Sequence, residues 1–124
     1  MSNRIKISKE VSSQLESLSG RLDLRRNIIC RMAIGESLKI KDSVKDYKSK
    51  DSIGFEFNRY TLTGEYDVIF KALITQREKK RIYDKEYVLI YLRNHIERGV
   101  KILFNEYEKI NSPIDFLTYL FKSV

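Results

Sequence analysis

The chain has 124 residues, 42% of them hydrophobic and 33% charged, with five glycines and a single proline. This length suits one domain, and the composition excludes a disordered or collagen-like protein. The longest apolar run spans residues 87–92 and is far shorter than the ~20 residues of a membrane-spanning helix. Residues 1–6 lack the apolar stretch of a secretory leader. We therefore expect one domain over residues 1–124, with no membrane contact and a location in the cytoplasm.

Positive charge is the first indication of a partner. The net charge is +7, and a basic excess favours a polyanion such as DNA. Residues 1–50 carry 12 basic and 6 acidic residues, whereas residues 51–124 carry 12 and 11, so the excess lies in the first half. Mild basicity that serves only solubility is the alternative interpretation.

The first predicted elements are a short strand and two helices. Residues 3–8 alternate polar or basic with apolar side chains, which predicts a strand with one buried face. So short a strand needs a partner, and we expect the same segment of a second copy of the chain. Ser8 is predicted to cap the first helix, and Gly20 lies near its end. Its apolar positions are Val11, Leu15, Leu18 and Leu22.

The second helix is predicted over residues 24–38. Its apolar residues cover most of its circumference, so it is expected to be buried on several sides, partly against another subunit. Residues 39–52 are rich in lysine, aspartate and serine and are predicted to be a solvated, mobile connection. Residues 55–60 are predicted to form a short extended segment whose aromatic side chains pack on the helices.

Three further helices complete the prediction. Thr63 is predicted to cap the third, which ends before the basic run Lys79-Lys80-Arg81, and Asp84 to cap the fourth and longest. Ser112 and Pro113 begin a short final helix. The apolar positions of the third helix are Tyr66, Ile69, Phe70, Leu73 and Ile74, and those of the fourth are Val88, Tyr91, Leu92, His95, Ile96, Gly99, Val100, Leu103 and Tyr107. The predicted fold class is mainly α, with a ribbon-helix-helix-like N-terminal half of one short strand and two helices.

The N-terminal order of strand, helix and helix is typical of ribbon-helix-helix DNA readers, in which a two-chain β-ribbon enters the major groove. On this interpretation Arg4 and Lys6 face DNA, whereas Ile5 and Ile7 face the core. The alternative is an N-terminal arm that only seals a dimer.

Arg25 and Arg26 lie in the first turn of the second helix. Cations there oppose the positive end of the helix dipole, at a cost of about a few tenths of a kcal/mol each. The free backbone N–H groups of a helix start also bind phosphate, and two arginines would extend such a site. The alternative is that both side chains point into water. Further cations that could add to the same surface are Lys9, Arg21, Arg31, Lys39 and Lys41.

Residue types that carry catalysis are scarce and poorly spaced. His95 has no metal-ligand neighbour, and Cys30 lies midway along an apolar helix, so both are interpreted as core residues. Glu65 and Asp67 lie two positions apart at a helix start and favour the helix dipole. The sequence has no phosphate-binding glycine loop, no Ser-His-Asp set and no Cys-x-x-Cys motif. We therefore expect no catalytic residues, no metal and no cofactor.

Three segments together resemble a known family. They are residues 27–33 (NIICRMA), 55–67 (FEFNRYTLTGEYD) and 95–100 (HIERGV). Through them the chain resembles the DndE family of bacterial DNA sulfur-modification proteins over nearly its whole length. The second helix departs from the family pattern, because it opens with Leu24-Arg25-Arg26 in place of a small capping residue and proline.

The resemblance implies a non-catalytic, DNA-binding subunit of the phosphorothioation machinery, which replaces a non-bridging oxygen of the DNA backbone with sulfur. It implies a homo-oligomer, with a tetramer as the expected order. The implied partners are duplex DNA, a cysteine desulfurase, an iron-sulfur protein of the ATP-pyrophosphatase type and an ATPase related to chromosome-maintenance proteins. Because sulfur insertion is expected to require an opened backbone, a further hypothesis is that the chain holds nicked duplex.

Several other interpretations are compatible with the sequence. One is a ribbon-helix-helix transcriptional repressor, and another is a protein-interaction scaffold without DNA contact. A third gives Cys30 a sulfur-carrying role. Within the string at residues 58–67, Arg59 and Tyr60 could contact DNA or a partner, whereas most of the string is explained by the entry to the third helix.

Overall fold

A computed structural model describes residues 3–122; Met1 and Ser2, on which the expectation about a secretory leader partly rests, lie outside the described residues. The strands are β1 (Arg4–Lys6) and β2 (Glu56–Asn58). The helices are α1 (Lys9–Leu22), α2 (Arg26–Leu38), α3 (Arg59–Thr63), α4 (Asp67–Glu78), α5 (Asp84–Glu86), α6 (Arg93–Ile110) and α7 (Pro113–Lys122). A 3₁₀ turn (Gly64–Tyr66) joins α3 to α4, and a π-helical segment (Tyr87–Leu92) joins α5 to α6. The predicted mainly α fold class is confirmed.

Helix α1 forms where the sequence predicts it. The Ser8 side chain accepts a hydrogen bond from the Val11 N–H at 3.2 Å and so caps the first turn. The helix passes through Gly20 and ends at Leu22, because Asp23 adopts a left-handed conformation with a φ of 55°. The apolar positions predicted for this helix are all buried. No helix within residues 3–122 combines the length and apolarity that crossing a membrane requires.

Helix α6 forms the centre of the fold, and α1 and α2 pack along it. A Cβ at Gly99 would lie 1.9 Å from the Ala33 carbonyl oxygen of α2, so this close approach requires glycine. The predicted burial of α2 is confirmed in part: α2 packs against α1, α3 and α6, but Ile28, Met32 and Leu38 are only half-buried. The positions predicted for the fourth helix are all buried: Val88, Tyr91, Leu92, His95, Ile96, Gly99, Val100, Leu103 and Tyr107.

The alternation of β1 is confirmed, but the expected pairing with a second chain is wrong. Ile5 and Ile7 are buried, whereas Arg4 and Lys6 point outward. The strand pairs antiparallel with β2 of the same chain, and the Ile7 N–H continues the pairing by donating to the Phe55 carbonyl at 3.1 Å. Because the connection between α2 and β2 returns to β1, an intramolecular strand needs no association entropy and occupies this edge first.

The other edge of β1 is closed by Arg93. Its Nε donates to the Lys6 carbonyl at 2.6 Å, and its Nη2 donates to the Asp51 carbonyl at 3.0 Å and to Ser52 Oγ at 2.9 Å. Successive carbonyls of a strand point to opposite sides, and Ile7 bonds toward β2, so the Lys6 carbonyl faces away from β2. A second chain would meet an edge that a guanidinium already caps, which disfavours a two-chain ribbon.

The connection over residues 39–52 is less solvated than the sequence predicts. Val44 is completely buried, and its carbonyl accepts a hydrogen bond from Asn94 Nδ2 at 2.9 Å. Arg98 Nη1 donates to the Asp42 carbonyl at 2.8 Å. Both donors lie on α6, so the start of α6 holds the backbone of this connection in place.

The third predicted helix corresponds to α4, which begins later and packs less than expected. The predicted cap, Thr63, is instead the last residue of the separate helix α3, which Asn58 caps by accepting from its first N–H groups. Helix α4 begins at Asp67 after the 3₁₀ turn, and Tyr66 at its capping position makes no side-chain capping bond. Of the apolar positions predicted for α4, Ile74 is buried, whereas Ile69 and Leu73 are 54% and 44% exposed. The helical periodicity is correct, but part of the apolar stripe faces outward.

Candidate nucleic-acid interface

The outward face of β1 contributes two cations to a shallow cleft. Arg4 and Lys6 line it together with Arg93 and Glu56, and its volume is about 380 Å³. Arg4 Nη1 lies 3.3 Å from Glu56 Oε2, and both side chains are solvent-exposed. The cleft therefore holds three cations against one carboxylate. Arg93 is the member that sequence analysis missed, because only the tertiary fold brings α6 beside β1.

Helix α1 presents its cations beside acidic residues. Lys9 and Arg21 line a second groove, which also contains Glu10, Asp51 and Glu108. Arg21 Nη1 lies 3.7 Å from Glu108 Oε2. A hydrogen bond from Lys50 is the main cause that lowers the pKa of Glu10, so this carboxylate stays ionised. Because carboxylates match the cations here, the α1 groove is a weak anion site.

The start of α2 separates its two arginines into different environments. Arg25 is the N-terminal capping residue, is exposed and makes no side-chain capping bond. Arg26 Nη2 lies 2.7 Å from Glu16 Oε2, and its guanidinium lies 4.0 Å from the centre of the Phe55 ring. Arg25 is therefore available to a phosphate, whereas Arg26 would have to exchange a carboxylate for it.

Arg31 has a structural role, because its side chain is bound to the backbone of α3. Its Nε donates to the Leu62 carbonyl at 2.7 Å, and its guanidinium lies against Gly64, where a Cβ would be 2.8 Å from Nη2. Gly64 has a φ of 59°, so glycine suits this position for both space and backbone conformation. The side chain thereby joins α2 to the end of α3, which leaves little of it for a ligand.

Lys39 and Lys41 lie at the other end of α2. With a rise of 1.5 Å per residue, Lys39 is ~20 Å from Arg26 along the helix. Lys39 Nζ lies 3.0 Å from Glu36 Oε1, and Lys41 is exposed. The nine cations predicted from the sequence therefore form several separate groups rather than one continuous patch.

The conspicuous string at residues 58–67 contains a buried ion network. The Arg59 side chain is only 4% exposed and lies 2.9 Å from Asp67 Oδ2 and 2.6 Å from Asp84 Oδ2. Thr63 Oγ1 and the Tyr87 hydroxyl both donate to Asp67 Oδ1, at 2.9 and 3.2 Å. The hydrogen bond from Arg59 is the main cause that lowers the pKa of Asp84 to about 2.

This network joins α3, α4 and α5, so most of the string is structural. Burial opposes the charge of Arg59, but hydrogen bonds from the two carboxylates outweigh it and raise the pKa of the guanidinium. Tyr60 differs from Arg59, because it is 53% exposed on the rim of an open groove along α4. Of the two residues left undecided by the sequence, only Tyr60 is accessible to a partner.

The potentially reactive groups are buried. Cys30 is completely buried, and burial raises the pKa of its thiol to about 12. His95 Nδ1 lies 2.8 Å from Ser37 Oγ, and burial, followed by the charges of Arg98 and Arg77, lowers the pKa of its ring to about 3. Across residues 3–122 no group of three or more His, Cys, Asp or Glu side chains is placed to hold a metal ion.

Comparisons with known proteins agree with this fold. The chain is similar to the crystal structure of DndE from Escherichia coli B7A, which is involved in DNA phosphorothioation modification, with a TM-score of 0.65 and 23% identity over 83% of this chain and 97% of that one. It is similar to a DndE G21/24K mutant involved in DNA phosphorothioation, with a TM-score of 0.64 and 22% identity over 85% and 99% of the two chains. No curated protein matches significantly.

Identities this low establish a common fold, and the sequence profile supplies the family. The profile described as "DNA sulphur modification protein DndE" matches residues 4–111, which include all of the secondary structure from β1 to α6. The chain therefore belongs to the DndE family, whose role is in DNA phosphorothioation.

Proposed function

We propose that this chain is a single-domain, non-catalytic subunit that holds duplex DNA in the cytoplasm while partner enzymes replace a backbone oxygen with sulfur. The observation that carries the proposal is the family match over residues 4–111. The partners proposed for the chemistry are a cysteine desulfurase, an iron-sulfur protein of the ATP-pyrophosphatase type and an ATPase related to chromosome-maintenance proteins.

The buried state of Cys30 and His95 supports a non-catalytic role. A thiol with a pKa near 12 holds almost no thiolate at neutral pH, and the thiolate is the form that attacks or carries sulfur. His95 has a pKa near 3 and no exposed surface, so it cannot reach a substrate proton. These two side chains contribute to the core instead.

DNA contact is proposed at the β1 cleft and the start of α2. Arg4 and Lys6 point outward beside Arg93, and Arg25 is exposed at a helix N-terminus, where backbone N–H groups also favour phosphate. Arg26 can join them, because its partner Glu16 is exposed and a phosphate can replace it. The contribution proposed for Lys9 and Arg21 is smaller, because carboxylates match them, and that for Arg31 is the smallest. Lys39 and Lys41 are proposed as phosphate contacts at the other end of α2.

Charge reversal tests the DNA proposal. A variant with Arg4, Lys6, Arg25 and Arg26 each changed to Glu is expected to lose duplex binding and to keep its oligomeric state, because these side chains lie outside the core. Fluorescence anisotropy with a labelled duplex over a series of salt concentrations measures the loss. The control is a variant with Lys109 and Lys122, on α6 and α7, each changed to Glu. For each charge reversed, its loss of duplex affinity should be much smaller than that of the fourfold variant.

Unchanged binding by the reversed variant would favour a protein-interaction scaffold over a DNA-binding subunit. Footprinting on many sequences distinguishes the remaining alternative, because a repressor protects one operator whereas phosphate contacts show weak sequence preference. The nick hypothesis is tested in the same assay with intact and nicked duplexes of one sequence. Equal affinity for both would remove that hypothesis.

Self-association is proposed through the outward face of α4. Val68, Ile69 and Leu73 are 77%, 54% and 44% exposed, and Tyr66 adds a fourth apolar side chain to the same region. A second copy of the chain, within a tetramer, is the proposed occupant. Ile69→Asp with Leu73→Asp should lower the mass measured by light scattering, whereas Ile114→Asp on α7 should not.

A further inference from the structure

A second cationic surface lies where the end of α2 meets the end of α4. Arg77 of α4 donates hydrogen bonds to the carbonyls of Leu38 and Ile40, and Ser43 Oγ lies 2.8 Å from both carboxylate oxygens of Glu78. These contacts bring residues 36–45 and 77–81 together, although they lie more than 30 positions apart in the chain.

The joined segments carry an unusual excess of positive charge. Seven cations lie against three carboxylates, a net charge of +4 in fifteen residues. The cations are Lys39, Lys41, Lys45, Arg77, Lys79, Lys80 and Arg81, and the carboxylates are Glu36, Asp42 and Glu78. We call this the α2–α4 cationic surface. More than half of the net charge of the whole chain is concentrated in it.

The negative ends of the two helix dipoles neutralise only part of this charge. Each helix C-terminus is equivalent to about half a negative charge, so the two together offset about one of the four positive charges. About three of the four positive charges therefore remain uncompensated by the helix ends.

Lys39 of this surface is paired with Glu36, but two other lysines differ from the arginines of the N-terminal half in their partners. Arg26 and Arg21 face Glu16 and Glu108, whereas Lys41 and Lys79 are exposed and have no carboxylate within ion-pair distance among residues 3–122. Exposed, unpaired ammonium groups suit phosphate oxygens, because the contact releases counterions and needs no exchange of partners.

We propose that the α2–α4 cationic surface is a second contact for the DNA sugar-phosphate backbone, away from the β1 cleft. This inference rests on the proposed DNA-binding function and extends it to residues 77–81. With contacts at the β1 cleft and at the end of α2, the duplex touches the subunit at more than one place. Such binding orients the duplex on the protein without reading its sequence.

Neutralisation of two lysines on each segment tests the inference in the full chain. The first variant carries Lys79→Gln and Lys80→Gln, and the second carries Lys41→Gln and Lys45→Gln. The matched control carries Lys109→Gln and Lys122→Gln. Anisotropy of a labelled duplex is measured at several salt concentrations. Each surface variant should bind at least tenfold more weakly at low salt, and its log–log salt slope should be smaller by up to about 1.8 for two lost contacts.

The outcomes separate this inference from the proposed function. The first and second variants should have additive effects on the salt slope, with thermal unfolding close to that of the unaltered chain, while the control keeps its affinity. If the unaltered chain binds DNA and both surface variants keep its slope, the inference is wrong and the proposed function stands. If the unaltered chain shows no salt-dependent binding to duplex, the proposed function itself is contradicted.

Discussion

The Arg59–Asp67 and Arg26–Glu16 pairs have similar nitrogen–oxygen distances, 2.9 and 2.7 Å, but they lie in different surroundings. The side chains of Arg59 and Asp67 are 4% and 11% exposed, whereas those of Arg26 and Glu16 are 43% and 58% exposed. Removal of one partner from a buried pair leaves a charge that water cannot solvate, whereas an exposed pair exchanges its partner for water at little cost. Burial, rather than distance, therefore decides which arginines hold the fold and which can bind a ligand.

The largest expected effect is at the buried arginine. Arg59→Met should lower the free energy of unfolding by about 3–5 kcal/mol, because it leaves Asp67 buried without its cation. Urea unfolding followed by circular dichroism measures the loss. Arg26→Met is the control and should cost less than about 1 kcal/mol. Similar losses for the two variants would contradict the distinction between buried and exposed pairs.

The second effect is a pH dependence from buried His95. Burial lowers the pKa of its ring to about 3, so the folded chain resists protonation while the unfolded chain takes up a proton below about pH 6.5. Its contribution to stability is thus complete above pH 6.5 and is lost as the pH falls toward 3. Below pH 6.5, the free energy of unfolding should fall with pH, and the slope attributable to His95 should approach about 1.4 kcal/mol per pH unit.

Measurement between pH 6.5 and 5 isolates His95, because ordinary carboxylates titrate at lower pH. His95→Asn should make the free energy of unfolding nearly independent of pH in this range, while the contribution of Asp84 to stability is kept. The depressed pKa of Asp84, about 2, means that its stabilisation is present above pH 4 and is lost as the pH falls through 2. A His95→Asn variant with the original slope would contradict the prediction.

A smaller effect extends the comparison from charge to packing. Gly99→Ala places a Cβ against the Ala33 carbonyl oxygen, so α2 and α6 must move apart, at a cost of about 1–3 kcal/mol. Gly35→Ala, on the exposed side of α2, meets nothing within 4 Å. It should stabilise the helix by up to about 1 kcal/mol. Chemical denaturation measures the free energy of unfolding, which should fall for Gly99→Ala and rise for Gly35→Ala. A fall for Gly35→Ala would contradict the exposed position of Gly35 on α2.

The last prediction is that Cys30 does not react in the folded chain. The thiol is buried and its pKa is about 12, so a thiol reagent should modify it only when the chain unfolds. The time course of labelling in native buffer and in denaturant measures this difference. Rapid labelling of the folded chain would support a sulfur-carrying role for the cysteine.

Much of the helical fold was predictable from local pattern. Residues 8–22 carry a capping serine and apolar side chains at a spacing of three and four, and both features act within a few residues of one another. The long helix around Gly99 was predicted for the same reason, including the side that becomes buried. The string at residues 58–67 pointed to the family, but its chemistry was not readable, because the carboxylates of Asp67 and Asp84 meet Arg59 only after folding.

The candidate interface was predicted only in part. Arg4 and Lys6 do face outward, as the period of two requires, but Arg93 and the run at residues 79–81 were not included. Neither carries a local signal of binding, since a cation on a helix surface or at a helix end is common in any soluble protein. Their significance depends on which segment lies beside them.

The sequence alone determined most of the helix positions and the excess of positive charge, because both follow from residue type and short-range spacing. The resemblance of three of its segments indicated the family. The tertiary structure alone decided the strand partner of β1, the carboxylates that neutralise Arg21 and Arg26, and the meeting of the two basic segments at α2 and α4. The physical reason is that pairing and burial are long-range properties: they depend on neighbours that folding brings together from distant parts of the chain.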